Sequence, residues 1–119
     1  EIRLSDVDRS RAENLAALVA KAFPACNIYA GGADPAGMDL AVNATPGGMH
    51  EGDPFPLDVT RLTPDMTVVD IIMEPAETAL LKKAREIGCT VQPGRPMMDY
   101  QMRGMADFFD VERRDRANG

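Results

Sequence analysis

The sequence predicts an α/β fold on a mostly parallel sheet, and three observations carry that prediction. Extended and helical patterns alternate along the chain. The segment TVVDII at 67–72 is almost continuously apolar, as a strand covered on both faces must be. Two segments of helical periodicity lie between strand signals, where a right-handed parallel crossover places its helix.

Taken in order, IRLSD at 2–6 is a short β-prone run. The DVDRSRAE that follows it offers two helix caps, Asp8 and Ser10, and Ser10 with Glu13 has capping-box spacing. Leu15, Leu18, Val19, Ala22 and Phe23 then fall at helical spacing to form one apolar face, and Pro24 stops the helix. NIYA at 27–30 is a second, weak strand and DLAVNA at 39–44 a third. After the strand at 67–72, EPAETALLKKAREIG at 74–88 reads as a helix with Pro75 near its start and Gly88 just past its end. CTVQ at 89–92 is a last short strand. From Met97 to Phe109 the spacing of Met98, Met102, Met105, Phe108 and Phe109 predicts a final amphipathic helix. The chain shows no internal repeat and no low-complexity segment.

In open parallel sheets ligands bind beyond the carboxyl ends of the strands. The strand at 39–44 runs straight into a polar loop, 43–56, that holds three glycines and three prolines. It therefore delivers Asn43 and Thr45 to a ligand edge; a surface loop without a ligand has the same pattern.

At 119 residues the chain has room for one modest domain with its own small core. An apolar share of 45% and a charged share of 27% are ordinary for a soluble protein, and no apolar run approaches the roughly 18 residues of a membrane span. The net charge of −6 argues against nucleic acid or an anionic membrane as partner, since phosphate binding needs clustered Lys and Arg. The mixed-sign run ERRDR belongs to a solvated tail at 111–119, behind a domain at 1–110. Cys26 and Cys89 fit neither a metal spacing nor a disulfide framework, which makes a reducing cytoplasm the expectation. His50 is the only histidine, so no metal site and no histidine triad is expected. The chain begins at Glu1 with no basic, apolar leader and reads as a piece of something longer.

Three blocks carry a resemblance to a known family. DLAVNATPGGM resembles the D-L-x-V-N-A-T-P-x-G-M signature of the shikimate dehydrogenases, and DIIMEPAETALLKKAREIGC resembles their D-x-x-Y-x-P-x-x-T-x-L-L-x-x-A-x-x-x-G-C segment. GRPMMDYQ at 94–101 resembles their third block, G-x-G-M-L-V-H-Q. The blocks recur in the family's order with similar gaps, across most of residues 2 to 109. The resemblance implies a Rossmann-like three-layer sandwich, the C-terminal nicotinamide-cofactor domain of such an enzyme. The family's first strand and glycine-rich loop would lie before Glu1, and no G-x-G-x-x-G occurs here. The family's catalytic lysine and aspartate sit in a substrate domain absent from this chain, so no catalytic residue and no activity are expected of the chain alone. A sheet of order 3-2-1-4-5-6 without its central strand leaves two neighbouring edges unpaired. The missing N-terminal part or another chain would fill the gap, with a homodimer as one arrangement.

The same resemblance implies site residues. At the end of the second Rossmann strand a carboxylate accepts from the ribose hydroxyls and repels a 2′-phosphate. NADP-dependent members usually carry N-R-T there, whereas this chain carries Asp6, Val7 and Asp8, as in the NAD-using quinate/shikimate branch. A carboxylate about 4 Å from a phosphate repels it by roughly 4 kcal/mol at an effective dielectric near 20, enough to favour NAD over NADP. Asp8 also reads simply as a helix cap. Asn43, Ala44 and Thr45, together with Arg11, Met49, Ile71 and Met97, complete the implied cofactor set. Asn43 and Thr45 also read as a strand-ending turn that satisfies local backbone groups. Met73 and Gln101 fall at the implied substrate positions; Gln101 also reads as a boundary residue of its helix.

Departures are specific. Met73 replaces a tyrosine whose hydroxyl lies at the family's substrate pocket, and a thioether cannot donate a hydrogen bond. Pro96 stands where the third block has its second glycine, and Tyr100 replaces the histidine. The methionines at 66, 73, 97, 98, 102 and 105 also read as pliable core filler, and Asp70 ends a strand at the ligand edge but reads equally as the cap of the next turn. The implied function is NAD-preferring interconversion of shikimate, or quinate, with its 3-keto form, a step of cytoplasmic aromatic amino acid biosynthesis. The alternative is a non-catalytic dinucleotide-sensing or partner-binding module.

Overall fold

The computed structural model describes residues 1–109. Its elements are β1 (Ile2–Leu4), α1 (Arg9–Ala22), β2 (Ile28–Ala30), β3 (Leu40–Asn43), a 3-10 turn (Val59–Arg61), β4 (Thr67–Asp70), α2 (Ala79–Ile87), β5 (Thr90–Gln92) and α3 (Gly94–Phe108). The tail expected at 111–119 lies outside the described residues.

The strands form two sheets, β1-β2 and β3-β4-β5, and every pairing is parallel. In the first, Ile2 lies opposite Ile28; in the second, Asn43 lies opposite Asp70 and Val68 opposite Val91. The alternation of elements thus produces the α/β fold it implies. Among the described residues β1 and β3 each pair on one side only.

Helix α1 begins at a different cap from the capping box. The Asp8 carboxylate accepts from the Ser10 N–H (3.0 Å) and the Ser10 hydroxyl (2.6 Å), which puts Ser10 inside the helix, and Glu13 pairs with Arg9 at 2.7 Å instead. A carboxylate here satisfies an orphan donor and sits at the positive end of the helix dipole. The apolar face expected at Leu15, Leu18 and Phe23 is exposed, with Leu18 at 66%. Ala12 and Ala16 are buried in its place. Two small residues let α1 lie close on β1 and β2, and a sheet of two strands is too narrow to cover the larger side chains as well.

The core sits between the three-stranded sheet, α2 and the 3-10 turn: Val59, Leu62, Met66, Val68, Leu80, Leu81, Ala84 and Cys89. Burial pushes the Cys89 thiol up, and its Sγ donates to the Thr63 carbonyl at 3.2 Å. The helix expected from 74 begins only at Ala79, behind a turn with a cis Glu74–Pro75 peptide, because Thr78 is the first residue there whose side chain caps: its Oγ1 accepts from the Leu81 N–H. Gly88, at φ 103°, closes α2 as the left-handed residue past its end.

Helix α3 starts at Gly94, three residues before the expected Met97, so Pro96 falls in its first turn, where a helix needs no donor. Most of α3 is exposed, including Met97, Met102, Met105 and Phe108. Among the methionines read as core filler, Met66 is the one that is fully buried. No helix of the described residues is long and apolar enough to cross a membrane.

Candidate functional site

The carboxyl ends of β3 and β4 are joined side by side by Asn43 and Asp70, and both side chains are buried. Asn43 Oδ1 accepts from the Thr45 hydroxyl (2.7 Å) and the Thr45 N–H (3.1 Å). Its Nδ2 donates to the Gly47 carbonyl (3.0 Å) and across the sheet to both oxygens of Asp70 (3.2 and 3.3 Å). Thr45 Oγ1 in turn accepts from the Gly47 N–H at 3.1 Å. Asp70 also accepts from the Ile72 N–H (3.0 Å) and from the hydroxyl of buried Thr78 (2.8 Å). A buried polar group without a partner is costly, and among the described residues no buried side-chain nitrogen or oxygen lacks one.

This lattice shapes a groove of about 380 Å³ along the sheet's carboxyl edge, walled by Ala44, Thr45, Pro46 and Met49 on one side and by Ile71, Ile72, Met73 and Glu74 on the other. Five of the residues predicted from the sequence meet here: Ala44, Thr45, Met49, Ile71 and Met73. Asn43 lies beneath them, with its amide committed to the loop. The groove is largely apolar, with Glu74 its one ionisable lining residue, and no histidine, lysine or cysteine lines it. A larger cavity of about 520 Å³ opens at the opposite, amino ends of β3 and β4 and gathers none of the predicted residues.

The loop beyond the groove is tied by one carboxylate. Asp53 Oδ2 accepts from the Gly48 N–H (3.0 Å) and the His50 N–H (3.1 Å), and these bonds hold its carboxyl below the usual range. Gly48 (φ 109°) takes a left-handed turn against Ile72 and Thr78 that a side chain would resist.

Asp6 and Val7 stand at the β1–α1 turn, also at a carboxyl end, and Arg11 follows in the first turn of α1. Asp6 Oδ1 accepts from the Asp8 N–H at 2.8 Å; its other oxygen takes no hydrogen bond from the described residues. Asp8 Oδ1 is taken by Ser10 and its Oδ2 faces the Arg11 guanidinium, whose Nε lies 3.6 Å away, so Asp6 Oδ2 is the carboxylate oxygen of this turn with neither a hydrogen bond nor an ion pair among the described residues. The side chain of Val7 is wholly exposed. Met97 and Gln101 lie on exposed stretches of α3 and do not line the groove.

Three residues of this region are absent from the sequence-derived set. Asp70 had a signal, a carboxylate inside the apolar run TVVDII, where it must be satisfied from within. Thr78 had a weaker one, a hydroxyl just before the helical run. Gly94 shows its role only in three dimensions: a Cβ there would sit 2.5 Å from the Ile71 carbonyl oxygen and 2.7 Å from that of Ile72, so only glycine lets α3 start against the Ile71–Ile72 wall of the groove.

No protein-family model matches the chain. It is 39% identical over 108 residues to a quinate/shikimate dehydrogenase (NAD(+)) of Corynebacterium glutamicum, a match covering 85% of this chain and 38% of that protein. Among solved structures it superposes on a shikimate dehydrogenase in complex with NADP+ with a TM-score of 0.82 and 31% identity, over 94% of this chain and 42% of the other. It superposes on the quinate dehydrogenase of Corynebacterium glutamicum in complex with NAD with a TM-score of 0.68 and 37% identity, over 83% and 37%. The chain thus spans about two fifths of the length of the curated relatives it matches.

Proposed function

The chain belongs to the shikimate/quinate dehydrogenase family, and from that premise we propose that it forms the nicotinamide-binding part of an oxidoreductase that interconverts shikimate or quinate with the corresponding 3-keto acid. The observation that carries the proposal is the apolar groove at the carboxyl edge of β3 and β4, which brings together five residues expected of a cofactor and substrate site. The groove fits a nicotinamide ring: it is flat-walled, apolar and closed beneath by a fully satisfied polar lattice. When bound, the dinucleotide supplies hydride chemistry. In this reading Ala44, Thr45, Met49 and Ile71 would hold the ring face and Met73 would stand toward the substrate; the resemblance adds Met97 and Gln101, which lie on α3 outside the groove. Among the described residues the groove offers one ionisable side chain, Glu74, at its rim, and the resemblance assigns the proton transfer to a lysine outside this chain.

NAD is the proposed cofactor. The unoccupied oxygen of Asp6 suits a ribose hydroxyl, and the same charge opposes a 2′-phosphate. Val7 holds the position where an arginine would pair with that phosphate. Replacing Asp6 by Asn and Val7 by Arg in the full-length protein is expected to raise the NADP/NAD ratio of kcat/KM by about tenfold or more, the effect of removing a repulsion of order 1.4 kcal/mol after screening. An unchanged ratio would remove Asp6 from the site.

The unpaired edges of β1 and β3 and the uncovered Leu15, Leu18, Leu40 and Val42 support completion of the sheet by a further strand, from a segment preceding Glu1 or from another chain. One observation favours a non-catalytic reading. Met73, which lines the groove, cannot make the hydrogen bond of the tyrosine it replaces. Reduction of NAD by the full-length protein with shikimate, quinate or an amino analogue separates the two, and failure with all three favours the module.

A further inference from the structure

We propose that Asp70 is a positioning residue that locks the two walls of the groove into one unit, an inference that rests on reading the groove as the dinucleotide site. Asp70 has no exposed surface, and among the described residues no lysine or arginine pairs with it. In all of its side-chain hydrogen bonds it accepts: from Asn43 Nδ2 on one wall, and from the Ile72 N–H and the Thr78 hydroxyl on the other.

That one-way polarity sets the direction of every bond beyond it. Facing an acceptor, Asn43 must turn its Nδ2 toward the sheet, which leaves Oδ1 outward to receive the N–H and hydroxyl of Thr45. The Thr45 oxygen is then turned to receive the Gly47 N–H. On the other side Thr78, donating to Asp70, keeps a lone pair for the Leu81 N–H that starts α2. A single chain of hydrogen bonds therefore runs from α2 through Asp70 to the loop that walls the groove. An asparagine at 70 keeps the shape but turns one acceptor into a donor, and at either oxygen's position that NH2 faces Asn43 Nδ2.

The test is Asp70→Asn in the full-length protein, read by NAD titration and by amide hydrogen exchange. The expected result is a Kd for NAD raised about tenfold, as for one lost buried hydrogen bond, with faster exchange at 44–49 and at 79–82 together and none at β1, α1 or β2. Acceleration on one wall alone, or on neither, overturns the proposal. If Asp70→Asn does not fold, Thr78 decides. Thr78→Val keeps the methyl packing near Gly48 and removes only the hydroxyl, whose route to the 44–49 loop is through Asp70. Loosening of 44–49 by Thr78→Val, with Thr78→Ser restoring it, supports the proposal; loosening confined to α2 overturns it. Should the unaltered protein bind no NAD, the dinucleotide reading fails, while the exchange data still decide the role of Asp70.

Discussion

Asp6 and Asp8 occupy one turn and divide its work. Asp8 accepts from Ser10 and caps α1, while Asp6 holds the Asp8 N–H with one oxygen and presents the other to solvent. The Ser10 hydroxyl, then its N–H, keep the Asp8 carboxyl below the usual carboxylate range. A folded-state value below the unfolded one means that this contribution is fully present above the ordinary value, about 3.9, and is lost as pH falls through the lower folded value. The start of α1 is therefore expected to fray below about pH 4, and Asp8→Asn, a cap that does not titrate, removes that acid dependence in amide exchange across 9–13. The 48–53 loop should loosen in the same window as Asp53 is protonated, for the same reason. At this scale the sequence was legible where chemistry is local: two caps were visible at 8 and 10, and only the geometry of the turn chose between them.

The leucines of α1 and α2 look alike in the sequence and behave oppositely. Leu80 and Leu81 on α2 are nearly inaccessible, whereas Leu15 and Leu18 on α1 face solvent. Leu80→Ala or Leu81→Ala is expected to destabilise the chain by about 2–5 kcal/mol, while Leu18→Ala stays within about 0.5 kcal/mol, as urea melts of the variants would show. Periodicity found both helices but could not tell which face meets a sheet, because that depends on how many strands lie beneath. For α3 the decisive residue is Gly94. Gly94→Ala would drive a Cβ into the Ile71 and Ile72 carbonyls and cost about 1–3 kcal/mol. Because Ile71 and Ile72 wall the groove, the loss in stability is expected to come, on the proposed reading, with a higher KM for the dinucleotide. Pro96 two residues later falls in the first turn of α3, where the helix needs no donor.

Over the whole molecule the packing is uneven. The radius of gyration is 17.2 Å, against about 13 Å for a compact domain of this size, and the core lies almost wholly within β3, β4, β5, α2 and the 3-10 turn. The β1-α1-β2 unit buries two alanines. Amide exchange is accordingly expected to be fastest in β1 and β2 and slowest in β4 and α2, and equal protection of the two units would contradict this partition. The order of elements, the parallel pairing and the gathering of Ala44, Thr45, Met49, Ile71 and Met73 at the carboxyl edge of the sheet were legible in the sequence alone, because periodicity, caps and turn residues act over a few neighbours. Only the tertiary structure decided that Asp70 and Thr78 lie beneath the groove and Gly94 against its wall, and that Leu18 is bare while Leu81 is not. Those roles arise from contacts between segments far apart in the chain, and no local pattern records which distant backbone a side chain will meet.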